Sequence, residues 1–587
     1  MAQGREDNVH VISCFDQYVF KKNAEGNTII ANATDYVYGV TKYATIVQPG
    51  VFYGEFIRLD KAQSKGTAQY KAAIPKNVFF DDTKVCYFNY RIPKVGKTLK
   101  ASFGRTFLDP VYFTTIPLGE DYFVENKTIQ VIIPKTFSQF HLKDCNLPKN
   151  VSKTSTINAD GDSVFTYAIH DLPTSVSEAN APAWGYVSPY ILVVGSFSDV
   201  QDMFAWSKQL ADVDCNIPNL NEILSDIRKN AKTDTEYIAN TYAWVQRNIR
   251  YLAYEAGISA HQPATPAETV RKRYGDCKAM SLLLKTLLCA QGFDARQTDI
   301  GTDDVPYTSQ QIPTIAAINH AICTVYHQGK TYFLDATNPY IPISYVPVNI
   351  QGRQALVENG NGCEMVKLPI LPVAGNSSSE LLEGSFVTEA NGTYAMKGKV
   401  MSSWCGDMKA MVMSAYESVA KDDKDRLFSR ILGFEKSTDA LTDIDVKGHL
   451  PQDEKLQISA SFCKNDVALS ADGKVYVDMN LGKDVFLEKV DTTKRTCDYM
   501  LDMPAQQKSI VRLKIPNNMR IEEMPAPYEA HSDWCDLHRV FRSQGNLIIM
   551  EKEYCIKKRR IPKKDIPAWN KMMTEWTDAC NEQVVLN

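Results

Sequence analysis

The stretch Arg273-Tyr274-Gly275-Asp276-Cys277-Lys278-Ala279-Met280 leads into Leu282-Leu283-Leu284 and Leu287-Leu288, and Gly292 follows. Met280, Leu283, Leu284, Leu287 and Leu288 recur at helical spacing, which predicts a helix over about 277–291 with Gly292 as its stop. Cys277 opens that helix, directly after a Gly-Asp turn. A thiol there feels the partial positive charge of N–H groups that have no partner in the helix, which favours the thiolate. The same N–H groups can receive an oxyanion. Taken alone this is weak, because buried cysteines are common small core residues.

A nucleophilic cysteine needs a base, and the base needs an orienting carboxylate. Two strands are expected downstream, Ala321–Tyr326 and Thr331–Leu334, joined through Gln328-Gly329-Lys330 as a hairpin. Asn319-His320 enters the first, and Asp335-Ala336-Thr337 leaves the second. A two-residue turn pairs residues whose numbers add to an odd total, and His320 with Asp335 meets that parity. Both side chains then fall on one face, directly opposite or diagonally adjacent. His327 is the rival base, expected exposed at the hairpin tip, and His261 is another. Cys289 and Cys323 are rival thiols. Cys289 lies about 120° round the helix from Cys277 and beyond its first turn.

Further out, Ile238, Tyr242, Val245, Ile249 and Leu252 form one helical face, and Thr233 with Glu236 reads as a capping box. The middle of the chain is therefore α+β. Before it, short apolar and aromatic runs separated by turn signals fill 1 to about 195 and end at Tyr190–Val194. They predict an antiparallel, sandwich-like domain. After about 378 strand patterning returns, with turns at Asp472-Gly473 and Gln544-Gly545. Helical stretches interrupt it near Asp407–Val419, where Met408, Met411 and Met413 read as core, and near Asp423–Leu432. A last helix runs over about Lys564–Asn581. The expected division is 1–199, 200–365 and 366–587.

At 587 residues the chain is too long for one domain. With 65 basic and 69 acidic residues, a formal net charge of −4, it lacks the basic excess of a nucleic-acid binder. The basic run Lys557-Lys558-Arg559-Arg560 reads as a solvated turn. No run of 18 apolar residues exists to span a membrane. The 14 cysteines contain no Cys-x-x-Cys pair, so no metal is expected; Cys535 and His538 stand at ligand spacing without a second pair. No cofactor is expected. The first residues lack the apolar core of a signal peptide. The location is expected to be exported or periplasmic if a leader has been removed from the native chain, and cytoplasmic otherwise.

Gly275-Asp276-Cys277-Lys278, Asn319-His320-Ala321 and Phe333-Leu334-Asp335-Ala336-Thr337 together resemble the bacterial transglutaminase-like core of the papain superfamily. Trp244-Val245, Ile249-Arg250-Tyr251 and Gln262-Pro263 resemble its upstream helix and loop. The flanks resemble the β domains of unknown function that surround this core in Bacteroidetes-type proteins. The resemblance implies an α+β multidomain fold, with a β-sandwich-like N-terminal domain, the transglutaminase-like core and a β-rich C-terminal domain. It implies acyl transfer by a Cys277, His320 and Asp335 triad, with the Cys277 N–H as one oxyanion donor and Gln262 or Tyr251 as candidates for the second. Many relatives have Asp where this chain has Ala279, a difference tied to the polarity of the site or to the substrate. The loop Thr302–Ile318 is expected to shape the cleft.

The implied reaction is hydrolysis of peptide or amide bonds, as in a cysteine peptidase or amidase, or transglutaminase-type transfer to an amine. The implied substrate is a peptide, protein or related amide, with glycan or protein recognition by the flanking β domains. The competing reading is a non-catalytic binding or assembly protein that keeps an idle triad on a β scaffold.

Overall fold

Alternation along the N-terminal strands shows why they form a layered sheet. In Thr98–Phe107 the residues Leu99, Ala101 and Phe103 are buried, while Lys100 between them is exposed. The structure is a computed structural model and describes residues 7–73, 82–174, 178–229, 231–253, 257–390, 392–482 and 484–587. Val9–Lys22, Thr28–Val40, Ile57–Ser64, Thr98–Phe107, Phe123–Ile133, Val151–Ile157 and Ser163–Leu172 build a seven-stranded sheet. The expectation of a wholly antiparallel sheet needs correction. Val9–Lys22 and Phe123–Ile133 run parallel, which the hundred residues between them permit, because a parallel pair needs a long crossover.

A second layer of three strands has Tyr190–Val194 at its centre. All five residues of that strand are buried. Ile191 and Val193 enter the N-terminal core, whereas Tyr190, Leu192 and Val194 pack with Ile312 of the next region.

The central region is a five-stranded sheet backed by helices. Its helices include α1 (Val200–Ala211), α2 (Asp234–Asn248) and α3 (Cys277–Cys289). Its strands are β1 (Asp294–Ile300), β2 (His320–His327), β3 (Lys330–Leu334), β4 (Gln354–Asn359) and β5 (Gly362–Lys367), in the order β3-β2-β1-β4-β5. One face of the sheet, through Ala295, Cys323, Val325 and Leu334, packs on α2 and α3. The other, through Ile300, Ile322 and Phe333, packs on Val346, Ile350 and Leu368.

The capping box at Thr233 and Glu236 is present, but α2 ends four residues short of the predicted face. Ile249 is already extended, and Arg250–Tyr251 pairs in parallel with Tyr274–Gly275, so the chain leaves the helix to brace the Gly-Asp turn before Cys277.

The C-terminal region holds an eight-stranded sheet and smaller strand groups. Its two internal helices are Gly406–Ser418 and Lys424–Ile431, and its last is Ile566–Cys580. Trp569 and Trp576 of that last helix are buried against Leu537, Tyr554 and Ile556. Met408 and Met413 are core, as expected, but Met411 is exposed. The basic run is not simply solvated: Arg559 pairs with Asp303 of the central region and Arg560 with Asp498. Cys535 and His538 lie on one strand three residues apart, which points them to opposite faces; Cys535 is buried and His538 exposed. Among the described residues, no helix is long and apolar enough to cross a membrane.

Candidate active site

Cys277 is the first residue of α3, and Asp276 caps the helix by accepting the Ala279 N–H at 2.9 Å. Lys278 reaches back to the other Asp276 oxygen at 2.5 Å, so the capping carboxylate is held from both sides. Cys277 is partly exposed.

His320 is the first residue of β2. The β2–β3 hairpin closes through the two-residue turn Gln328-Gly329, both at positive φ, with His327 opposite Lys330. That register puts Ile322 opposite Asp335, so His320 and Asp335 are diagonal neighbours on one face. His320 Nε2 and Asp335 Oδ2 are 2.8 Å apart. The other ring nitrogen is left for Cys277, which lines the same cleft and acts on the imidazole. By alternation His320 belongs to the face opposite the one that packs on α3. It meets Cys277 because both residues begin their elements: the contact is made over the end of the sheet and not across its face.

Asp335 is 4% exposed, and its other oxygen accepts from Thr337 N (3.1 Å) and Thr337 Oγ1 (2.6 Å). Burial opposes its ionisation, but the charge and hydrogen bond of His320 and those from Thr337 hold its pKa below the ordinary value. Burial likewise opposes charge on His320, yet Asp335 and then Cys277 outweigh it, and its pKa stands well above the ordinary value. The Tyr242 hydroxyl, from α2, donates to the Asp335 carbonyl at 2.7 Å and fixes the backbone there. Asn319 exchanges two hydrogen bonds with Thr302, which clamps the ends of the intervening loop beside His320.

Cys277, His320 and Lys278 open onto a cleft of about 490 Å³. The N-terminal region roofs it with residues 52–57, Asp82 and Tyr112. The roof is attached by carboxylates: Asp82 accepts the Gly257 N–H at 2.9 Å and Glu55 the Ile258 N–H at 3.3 Å. Gly257 has φ +46°, and a Cβ there would stand 1.5 Å from Glu55 Oε2. Phe56 stacks on Tyr112 at 3.6 Å, and Tyr112 and Trp206 flank the His261 ring at 5.2 and 5.6 Å.

The rivals separate on these grounds. His261 does line the cleft, but burial, and then Lys278, push its pKa down to about 4, and among the described residues no carboxylate pairs with it. His327 is not exposed, contrary to expectation. Its side chain is 15% accessible, lies edge-on to Phe293, and sits at the far end of β2, about 23 Å along the strand from His320. Cys323 is fully buried, and burial raises the pKa of both Cys323 and Cys289.

Of the two residues considered as second oxyanion donors, Tyr251 lines the cleft. Gln262 does not, and its backbone N–H closes a turn onto the Ile258 carbonyl. Ala279 is 1% exposed and lies outside the cleft wall, so the residue at this position does not face the cleft directly. Asp299, Ser207, Trp206 and the whole roof also line the cleft, and no local sequence pattern singles them out.

The fold and site thus define a thiol–imidazole–carboxylate cluster on an α+β core between β-rich regions. Residues 221–335 match the family model of the transglutaminase-like superfamily, and residues 474–586 that of DUF3858, a domain of unknown function with a solved structure. The chain carries a transglutaminase-like domain in its middle, with β-rich regions on both sides. Over 99% of both chains it shares its fold with a candidate protease from Parabacteroides distasonis ATCC 8503, at 11% identity and a TM-score of 0.61. A candidate cysteine protease from Cytophaga hutchinsonii is 10% identical over 58% of this chain and 80% of its own, with a TM-score of 0.17. A candidate nutrient-binding protein from Legionella pneumophila is 11% identical over 41% of this chain and 84% of its own, with a TM-score of 0.21. No curated protein matches.

Proposed function

We propose that the protein is a thiol-dependent acyl transferase that hydrolyses peptide or related amide bonds through Cys277, His320 and Asp335. The observation that carries this is the His320–Asp335 hydrogen bond of 2.8 Å beside Cys277, which opens a helix and lines the same cleft as His320. Asp335 sustains an imidazolium, and an imidazolium sustains a thiolate.

The Cys277 thiolate attacks the amide carbon, and the developing oxyanion lies against the backbone N–H of Cys277 at the start of α3. His320 gives its proton to the leaving amine as the C–N bond breaks, leaving a thioester on Cys277. Water then attacks the thioester while His320 takes a proton from it, and the carboxylic acid leaves as the thiolate returns. An amine in place of water would give transamidation; hydrolysis is preferred because bacterial relatives of this core resemble peptidases.

The test is a peptide-library digest with wild type and Cys277→Ala, read by mass spectrometry, beside labelling with an acyl-directed probe. Cleavage and labelling by wild type alone are expected. A wild type that neither cleaves nor labels, with Cys277 alkylated no faster than an ordinary thiol, overturns the reading in favour of a scaffold protein.

A further inference from the structure

Asp299 lies on β1 directly opposite Ala321, the residue after His320, one strand spacing of about 5 Å away. Gln297, two residues before it and on the same face, bonds to Ser281 of α3, so Asp299 points to the side of the sheet that carries Cys277. It lines the cleft and is 8% exposed.

Its compensation is thin for so buried a carboxylate. Oδ2 accepts from Ser207 Oγ of α1 at 2.7 Å, and among the described residues no cation forms an ion pair with it. Lys278 is a positive charge that acts on it, but that ammonium is joined to Asp276 at 2.5 Å. Burial pushes the Asp299 pKa up to about 6, which leaves the group largely ionised at neutral pH. An ionised buried carboxylate without a cation is costly, and such groups concentrate where a ligand supplies the missing charge.

The rest of the cleft has the same bias. Glu55, Asp82 and Asp276 line it beside Asp299, against Lys278 and the His320 imidazolium of the mechanism. Trp206 and Tyr112 add aromatic side chains to its lining. His261 stays neutral beside those rings, so it does not repel a cation.

We propose that Asp299, held by Ser207, is the specificity residue of the cleft and receives a primary ammonium group of the substrate, carried either by a peptide N-terminus or by a lysine side chain. The ligand's ammonium would complete a charge-assisted hydrogen bond at a site that is otherwise half satisfied. This rests on the acyl-transfer reading only in taking the occupant to be an acyl substrate.

The test reads occupancy without turnover: protection of Cys277 in the full-length protein from iodoacetamide, followed by mass spectrometry over the first minutes. Three probes are used: trialanine amide with a free N-terminus, its N-acetyl form, and an N-acetylated peptide amide containing one lysine. At least one ammonium-bearing probe is expected to protect at a concentration tenfold or more below the N-acetyl, lysine-free peptide, and which one does so identifies the source of the ammonium. Asp299→Asn is expected to erase that preference, so that the three probes act alike. Ser207→Ala, which keeps the carboxylate and loses its hydrogen bond, is expected to weaken the preference severalfold, and it serves if Asp299→Asn folds poorly.

Equal protection by all three probes, no protection by any, or a preference that survives in Asp299→Asn overturns the proposal. Ammonium-selective, Asp299-dependent protection with no cleavage, no probe labelling and an ordinary alkylation rate at Cys277 would support this site while removing the acyl-transfer reading. Cleavage with no ammonium preference would do the reverse.

Discussion

Asp335, just past the end of β3, and Asp299, on β1, are both buried carboxylates, and their surroundings drive them in opposite directions. Asp335 has every oxygen matched, by His320 on one side and Thr337 on the other, and its pKa is lowered. Asp299 has one hydroxyl, and its pKa rises to about 6. The lesson is that burial alone does not set a carboxylate's role. Asp335 is complete within the chain, as an orienting group should be, whereas Asp299 is left open, as a group that awaits a ligand should be.

The contrast is broken most severely at the reacting atoms. Cys277→Ala should abolish turnover, and His320→Ala should cost nearly as much because the members act as a unit. Cys277→Ala should leave the thermal unfolding midpoint within a few degrees of wild type, whereas His320→Ala should lower it, because the buried Asp335 carboxylate loses its partner. Asp335→Asn should lower kcat by roughly 10³–10⁴ while leaving residual activity, since it orients the base and breaks no bond itself. The same substitution should lower the His320 pKa, seen by NMR titration of the imidazole.

The two acids should also differ in sign in how they tie stability to pH. Asp299 is raised in the folded state, so its stabilising contribution is present below its unfolded value of about 3.9 and is lost as pH rises through about 6. A rise of that size corresponds to about 3 kcal/mol. Asp299→Asn should therefore be the more stable protein at pH 8, by up to about that amount, and equal to wild type near pH 4, measured by urea unfolding at both. The lowered Asp335 contributes above about 3.9, and its share is lost as pH falls through its folded value. The raised His320 contributes fully below about 6.5 and its share is lost as pH rises through its folded value. The smallest expected effect is at the roof. Gly257→Ala strains a positive φ and displaces Glu55, and should destabilise by about 1 kcal/mol or more while raising KM more than it lowers kcat.

The legibility of these groups in the sequence follows from how local their geometry is. Cys277 is marked by the start of an apolar helix, and His320 and Asp335 by a hairpin whose two-residue turn sets their parity. Asp299 had no such frame. Asp294-Ala295-Arg296-Gln297-Thr298-Asp299-Ile300 is a strand with polar residues turned toward α3, so its hydrophobic alternation is faint. The roof was out of reach for a different reason. Asp82 and Gly257 meet from 175 positions apart, and neither carries a local pattern that names the other. The β character of both flanks was plain from alternation, but the parallel pairing in the first was not, since alternation is blind to strand direction. His327 is hidden although it stands at a hairpin tip, because Phe293, from the turn before β1, lies against it, and nothing local in the sequence marks that contact.

The strand Tyr190–Val194 puts one side into the N-terminal core and the other against the central region. Such a strand leaves the molecule without a seam at the point where the chain passes from one region to the next. A protease finds no exposed joint in those five residues, and cutting the gene there would strip an apolar surface from whichever half lost the strand. The roof and the floor of the cleft should therefore melt in a single transition, and should be inherited together as one piece.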